Sequence, residues 1–162
     1  MPDIKPLVEQ PDSWIEDAPV RVRAERTVSA TPAQLWAVIA DHESWPRWFD
    51  SVKKVEVTGV SDAVDGTRRV TVGPVVLEER FTRWEPEHVF AFAVTGMSFR
   101  LVKSLSERLT LTAHESGTTV VYEQAFDPKP VAGLFLKIAK GKLEGTLGDA
   151  IDKLAAEASS NG

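Results

Sequence analysis

The spacing of apolar and polar residues changes along the chain and predicts two kinds of element. Residues 20–28 and 52–126 alternate with a period of two, which is the spacing of strands with one buried face. Residues 31–49 and 131–158 instead carry apolar side chains at helical spacing. We therefore predict one strand, a short helical stretch, a run of strands and a closing helix.

The first helical stretch has clear start and stop signals. Thr31 is placed to cap a helix, Pro32 lacks the N–H group that a first turn leaves unpaired, and Gln34 completes a capping box. The polar run at residues 41–44 ends the apolar period, and Pro46 permits only a new first turn. These signals predict two short helices at an angle to each other.

Six strands are predicted after residue 51, because turn-forming residues recur about every ten residues with no helical pattern between them. The predicted strands are 52–58, 67–72, 75–84, 89–95, 99–113 and 118–126. With the strand at 20–28 they make seven, and the hairpin turns predict an antiparallel sheet in simple meander order.

The closing helix carries two apolar stripes. The longer stripe consists of Leu143, Leu147, Ile151, Leu154 and Ala158. The second lies nearly opposite, contains Leu134 and Ile138, and is continued by Gly141, Gly145 and Gly148. Either the helix breaks near Gly141, or one face carries no side chains where it passes something that needs room.

Length and composition limit the possible functions. A chain of 162 residues fits one domain, and four prolines in residues 1–19 predict an N-terminal arm ahead of a single domain at 20–162. A net charge of −5 opposes a broad phosphate-binding surface, so no nucleic acid partner is expected. The chain contains no cysteine, which excludes thiolate chemistry and fits a reducing compartment. Neither a leader pattern nor an apolar run of ~20 residues is present, so we predict a cytoplasmic protein without integral membrane association.

The order of elements predicts an α+β fold in which a curved, seven-stranded antiparallel sheet wraps around a long C-terminal helix, with two short helices between strands 1 and 2. Five motifs then carry a resemblance that covers about residues 20–158: V-S-A-T-P-A-Q-L-W-A-V-I-A-D at 28–41, W-P-R-W-F at 45–49, G-T-R at 66–68, W-E-P at 84–86 and G-T-T-V-V-Y at 117–122. With them the chain resembles the START-like (SRPBCC) superfamily with the helix-grip, Bet v 1-like fold, specifically its bacterial polyketide cyclase/dehydrase and lipid-transport type. The resemblance implies a pocket for hydrophobic molecules and supplies no single catalytic motif.

The apolar rows of the sheet and the facing helices mark the walls of the expected pocket, for which we predict a volume of at least ~300 Å³. The residues predicted to line this cavity are Trp45, Trp48, Val70, Leu77, Phe81, Phe90, Phe92, Leu105, Leu109, Tyr122, Leu134, Ile138 and Gly141. Trp45, Trp48 and Phe49 are interpreted either as a core plug or as gate residues of the pocket.

Polar residues in the same rows are the candidates for chemistry. Arg68, Glu79, Glu107 and Gln124 share the parity of the apolar rows. A buried carboxylate without a partner costs several kcal/mol or becomes protonated, so an inward Glu79 or Glu107 implies a partner such as Arg68. The alternative is that bulges or strand ends turn these side chains to solvent. Glu107, Glu79, Arg68 and Tyr122 are the candidate catalytic residues.

Other classes of site find little support. His42, His88 and His114 lie at a helix end and in turns without metal-ligand spacing, so they are interpreted as solvated, with His42 at a pocket mouth as the alternative. No metal and no cofactor is expected. Lys137, Lys140 and Lys142 are interpreted as solvated rather than as contacts to an anionic membrane surface.

Three functional hypotheses follow. The first is a module that binds a hydrophobic or amphipathic small molecule, lipid or polyketide-like, between the sheet and the C-terminal helix. The second is a polyketide cyclase/aromatase or dehydratase that uses an acid–base group in the same cavity. The third is a co-chaperone-like protein-interaction domain, which requires an exposed apolar patch outside the pocket. The sequence leaves monomer and dimer open.

Overall fold

One antiparallel sheet and three helices form the molecule, which a computed structural model describes for residues 2–161. The strands are β1 (Lys5–Pro6), β2 (Val20–Val28), β3 (Val52–Val57), β4 (Thr67–Val72), β5 (Val75–Glu85), β6 (Val89–Met97), β7 (Val102–His114) and β8 (Gly117–Pro128). The helices are α1 (Pro32–Ala40), α2 (Trp45–Trp48) and α3 (Pro130–Asn161), with 3-10 turns at Asp12–Asp17 and His42–Ser44. Residues 1 and 162, the outer limits of the predicted arm and domain, lie outside the described residues.

The predicted α+β helix-grip class is confirmed, but the strand order differs from a simple meander. The strands follow the order β2-β8-β7-β6-β5-β4-β3, so β3 to β8 form a meander and β2 closes its far edge. Val20 lies opposite Phe126, and Val28 lies opposite Thr118. The reason is that α1 and α2 carry the chain from one edge of the sheet to the other before β3 begins.

The capping signals at the start of α1 are confirmed. The Thr31 hydroxyl accepts a hydrogen bond from the Gln34 backbone N–H at 3.2 Å, and the Thr31 N–H donates to Gln34 Oε1 at 2.9 Å. The helix buries Leu35, Val38 and Ile39. This short helix is therefore held both by its cap and by its apolar face.

The N-terminal residues lie along the sheet. Strand β1 pairs with the end of β6 through Lys5 and Met97. A Cβ atom on Gly96 would lie only 2.6 Å from Ile4 Cγ2, so the glycine permits this close approach. Farther along, Ile15 is 1% exposed within its 3-10 turn. The segment thus adds a short strand and two buried apolar side chains, Leu7 and Ile15, to the fold.

Helix α3 is continuous from Pro130 to Asn161, so the break considered near Gly141 does not occur. Its C-terminal half packs on the protein with the predicted stripe, of which Leu147, Ile151, Leu154 and Ala158 are buried and Leu143 is partly buried. A Cβ on Gly148 would lie 2.2 Å from Arg26 Nη2, so this glycine makes room for a guanidinium group rather than for a ligand. Among the described residues, no helix has the length and apolar character needed to cross a membrane.

Candidate functional site

A partly open cavity of about 220 Å³ lies on the concave face of the sheet. Its walls are Trp45, Phe49, Val52, Arg68, Val70, Val72, Val75, Leu77, Glu79, Phe92, Met97, Leu105, Glu107, Tyr122, Gln124 and Phe126. The volume is smaller than the predicted ~300 Å³, although most of the lining is apolar, as in typical small-molecule sites. The cavity is therefore built from α2, the loop behind it and strands β3 to β8.

The structure places six of the predicted cavity residues in these walls. They are Trp45, Val70, Leu77, Phe92, Leu105 and Tyr122. The four polar candidates Arg68, Glu79, Glu107 and Tyr122 are also brought together there. Period-two spacing is what places them on one face, because alternate residues of a strand point to the same side of the sheet.

Four aromatic or aliphatic residues predicted for the cavity lie in the solid core instead. Phe81 and Phe90 pack against each other at 5.0 Å between ring centroids, and both contact Trp84. Leu109 pairs with Phe90 across β6 and β7, and it is fully buried. Trp48 is fully buried and lies beside Thr146 in the C-terminal half of α3 rather than in the cavity wall. The apolar rows of the sheet do face inward. At one end of these rows, however, the side chains of α1 and α2 and neighbouring aromatic rings fill the space.

The three α3 residues predicted for the cavity are also placed elsewhere. Leu134 and Ile138 are 68% and 77% exposed, and a Cβ on Gly141 would meet nothing within 4 Å. Within residues 2–161, α3 supplies none of the cavity lining. The prediction that the cavity lies against this helix is therefore wrong at these positions. The physical reason is that α3 is anchored by its opposite stripe, which turns Leu134 and Ile138 to solvent.

A buried ion pair forms part of the cavity wall. Arg68 and Glu79 are opposite each other on β4 and β5, and Arg68 Nε donates to Glu79 Oε2 at 2.6 Å. The guanidinium carbon also lies 4.1 Å from the centroid of the Trp45 ring, within range of a cation–π contact. Arg68 is therefore fixed by a carboxylate at its edge and an aromatic ring on its face.

His42 fixes the same guanidinium from a second side. Arg68 Nη1 lies 3.1 Å from His42 Nδ1, and His42 Nε2 lies 2.7 Å from the backbone oxygen of Ser61. Since a carbonyl oxygen only accepts, the network assigns the proton to Nε2 and leaves Nδ1 to accept from Arg68. Burial, followed by the charge of Arg68, lowers the pKa of His42 from 6.5 to about 4. The imidazole is thus neutral near pH 7 and extends the Arg68 network to Ser61.

A second carboxyl group faces the cavity without a cation of its own. Glu107 Oε1 accepts a hydrogen bond from the Tyr122 hydroxyl at 2.8 Å. Burial, and then the charge of Glu79, raise the pKa of Glu107 to about 7. Burial, followed by the nearby Glu107, raises the pKa of Tyr122 well above 10, so its hydroxyl remains a donor. Near neutrality, Glu107 therefore exchanges a proton easily, whereas Tyr122 does not.

The pairing of Arg68 decides which carboxyl is the ionised one. Burial raises the pKa of Glu79, and the charge of Arg68 opposes that rise. Because Arg68 bonds directly to Glu79, the pair keeps its charge inside the cavity wall, and Glu107 is the carboxyl that takes up a proton first as the pH falls. The site can thus offer an ion pair, a tyrosine hydroxyl and a titrating carboxyl to a polar group of a ligand.

The solvated position expected for His42 is wrong. The structure buries this residue to 3% exposure and stacks it on Phe81 with ring centroids 5.1 Å apart. A usable signal in the sequence is its position between Trp36 of α1 and the two tryptophans of α2. Phe49, considered with the two tryptophans as plug or gate, lines the cavity. The sequence missed Val52, Val75 and Met97 as cavity-lining residues, because they lie at strand ends or beside turns.

No group of three or more His, Cys, Asp or Glu residues in the part of the chain that the structure describes is arranged to hold a metal ion. In the cavity, Arg68 is paired with Glu79, and Tyr122 is paired with Glu107.

The sequence of this chain is similar to those of one protein family. Residues 19–159 match the family described as polyketide cyclase / dehydrase and lipid transport. The uncharacterized protein Rv2574 of Mycobacterium tuberculosis is 33% identical over 115 residues, which cover 70% of this chain and 69% of that protein.

Two solved structures show the same fold at low identity. The protein TTHA0849 from Thermus thermophilus has a TM-score of 0.72 at 20% identity, covering 88% of this chain and 99% of that one. The Zhui aromatase/cyclase from Streptomyces sp. R1128 has a TM-score of 0.72 at 19% identity, covering 86% of this chain and 93% of that one.

Proposed function

Because the chain belongs to the polyketide cyclase/dehydrase and lipid transport family, we propose that it binds a hydrophobic or amphipathic small molecule in the cavity on the concave face of its sheet. The observation that supports this most is the contrast within the cavity lining. Its walls are mainly Val, Leu, Phe and Met, whereas the ion pair and the titrating carboxyl lie together at one side. Such a site suits an apolar body with one polar group.

The polar group of the ligand contacts the side of the cavity that carries Glu107, Tyr122 and Arg68. A protonated Glu107 donates a hydrogen bond to a carbonyl or hydroxyl oxygen of the ligand, and Arg68 Nη2 is the guanidinium nitrogen not used in the bonds to Glu79 and His42. The ligand thus gains orientation from these polar contacts and affinity from the apolar walls.

The experiment begins with native mass spectrometry of the protein purified from its own host, followed by titration of the co-purified molecule into two variants. Val75 lines the cavity, whereas its neighbour Val76 lies on the opposite face of β5. We expect Val75→Phe to weaken binding at least ten-fold, because the larger ring occupies part of the cavity. Val76→Phe is the matched control and should retain affinity. Equal affinity in both variants would count against this cavity.

An enzymatic role is the second candidate, and the raised pKa of Glu107, at about 7, favours it. A carboxyl that titrates near neutrality can give and take a proton during cyclisation or dehydration of a polyketide-like chain. Glu107→Gln keeps the shape and a hydrogen-bond donor but cannot transfer the proton. If the protein is an enzyme, this variant binds the substrate and loses turnover on the order of 100-fold or more. Turnover that survives the change excludes Glu107 as the acid–base group.

A further inference from the structure

A band of large apolar side chains lies exposed at one end of the molecule. These residues belong to the β6–β7 turn and the first half of α3, and they are 47% to 91% exposed. We name the surface formed by Phe99, Leu101, Val131, Leu134, Phe135 and Ile138 the apolar end face. A continuous apolar surface of this kind on a folded domain marks a site of interaction.

The two segments of the apolar end face are neighbours in space. The Lys129 backbone N–H donates to the Leu101 carbonyl oxygen at 3.2 Å, which joins the start of α3 to the β6–β7 turn. Arg100, Leu101, Lys129 and Phe135 line a shared surface groove between them. The α3 residues of the face recur at the spacing i, i+3, i+4 and i+7, so they form one stripe on the helix.

The charge around this stripe is mainly positive, although Asp127 lines a groove together with Leu134 and Lys137. Residues 97–106 and 128–143 carry the basic side chains Arg100, Lys103, Lys129, Lys137, Lys140 and Lys142. The same two segments contain neither Asp nor Glu. The whole chain nevertheless has a net charge of −5, so positive charge is concentrated at this end. A partner of negative charge fits the face.

The stripe is not a displaced wall of the ligand cavity. The opposite side of the same helix already packs on the protein through Leu136 and Leu143. Bringing Leu134 and Ile138 inward would require the helix to turn about its axis by roughly half a revolution, which would expose that packed side. Continuity of α3 with its buried C-terminal half opposes such a rotation.

A second copy of this chain also fits poorly. A two-fold interface places the same patch of each copy against itself, so lysines and arginines would face lysines and arginines. We propose that the apolar end face binds the surface of an anionic phospholipid bilayer. Its apolar stripe enters the boundary between head groups and acyl chains, while the surrounding basic side chains contact the lipid phosphates.

The apolar end face follows directly, along the chain, from two walls of the ligand cavity. Met97 and Phe126 line the ligand cavity, and the chain continues from each of them into one segment of the apolar end face. A molecule dissolved in the bilayer therefore meets the protein beside the cavity. The bilayer contact itself does not depend on what the cavity holds.

The first test is co-sedimentation of the full chain with vesicles of phosphatidylcholine alone and of phosphatidylcholine mixed equally with phosphatidylglycerol. We expect binding to the anionic vesicles that weakens with added salt, and little binding to the neutral ones. Replacing Lys137, Lys140 and Lys142 with Gln should reduce the affinity on the order of 100-fold, at about five-fold per lysine. The matched control replaces Lys53, Lys54 and Lys153, which lie on β3 and in the C-terminal half of α3, with Gln and should keep most of the affinity.

The second test concerns the apolar stripe. Changing Leu134, Phe135 and Ile138 to Ser should weaken vesicle binding at least about ten-fold. The control changes Val57, Val60 and Val64, which are exposed elsewhere, to Ser and should have no such effect. Val75→Phe should leave vesicle binding unchanged, so this proposal and the cavity proposal fail separately.

Three results would overturn the bilayer proposal. The first is equal binding to neutral and anionic vesicles, and the second is equal losses in the test and control variants. The third is a dimer in analytical ultracentrifugation that the serine variant converts to monomer while the wild-type chain does not bind vesicles. That outcome would assign the face to a second copy of the chain.

Discussion

Glu107 and His42 are two buried titratable groups whose pKa values shift in opposite senses. Glu107 has no cation of its own, because Arg68 bonds to Glu79, so burial raises its pKa to about 7. His42 already faces the positive charge of Arg68, so burial and that charge lower its pKa to about 4. Both groups are therefore neutral in the folded protein in mildly acidic solution.

The Glu107→Gln variant should remove one part of the dependence of stability on pH. In the unfolded chain Glu107 loses its proton near pH 4.5, whereas in the folded protein it keeps the proton until about pH 7. Between these values a rise in pH favours unfolding. We therefore expect the variant to gain about 2–3 kcal/mol in unfolding free energy relative to wild type from pH 4.5 to 8. Urea denaturation of both proteins across this pH range measures the difference in unfolding free energy. A difference that stays constant with pH would contradict the raised pKa of Glu107.

The His42→Asn variant should show the opposite slope. The unfolded imidazole takes up a proton near pH 6.5, whereas the folded one does so only near pH 4, so acidification favours unfolding between these values. Wild type should therefore lose about 1–3 kcal/mol relative to the variant as the pH falls from about 7 to about 4. At neutral pH the variant itself should be less stable, because the buried imidazole ring that stacks on Phe81 is lost. Parallel pH profiles of the two proteins would show that His42 titrates normally.

At the scale of an element, helix α3 shows what the spacing of apolar residues predicts and what it does not. The two stripes are visible in the sequence and are real, but periodicity alone does not say which one faces the protein. The sequence also does not show that Arg26 lies against this helix, where its guanidinium group occupies the space that Gly148 leaves. Gly141 and Gly145 have open space around them instead.

Gly141→Ala should stabilise the protein without affecting the ligand. An exposed glycine inside a helix costs about 0.5–1 kcal/mol relative to alanine, and the added methyl group meets no neighbour within 4 Å. Gly148→Ala should gain less, since its methyl group displaces the Arg26 side chain. Thermal denaturation compares the two variants. Loss of ligand binding in Gly141→Ala would restore the idea that this helix face lines the ligand site.

The N-terminal segment, which we propose to be an arm of the domain rather than a separate unit, should contribute to stability. Ile15 is buried beneath the 3-10 turn, whereas Val8 is 60% exposed. Ile15→Ala should therefore lower the unfolding free energy by about 2–4 kcal/mol, and Val8→Ala should change it little. Denaturant titration of both variants measures the difference. Equal small effects would mean that the segment detaches readily.

At the scale of the whole molecule, the sequence predicts the fold better than the site. Alternation along β4, β5 and β7 places Arg68, Glu79 and Glu107 on one face, and the structure brings all three to the cavity. Alternation does not predict how far along a row the space extends. Beyond Phe90, Trp84 and the side chains of α1 and α2 fill the space next to the apolar row of the sheet. That part of the expected pocket is therefore core.

Contacts between distant segments of the chain explain the remaining wrong predictions. His42 looks solvated in the sequence because its neighbours there are polar, yet its structural neighbours are Phe81, Phe90 and Arg68. The edge pairing of β2 with β8 likewise depends on the path of the chain across the sheet rather than on local residue spacing. Such long-range relations become visible only in the assembled fold.

The crystal structure of the protein with the molecule that co-purifies from its host would test the central claim most directly. We expect the apolar part of that molecule between Val70, Leu77 and Leu105, and a polar atom within about 3 Å of the Glu107 carboxyl or of Arg68 Nη2. A molecule bound beside α3 or in the groove next to Phe135, with the concave face of the sheet unoccupied, would contradict the account.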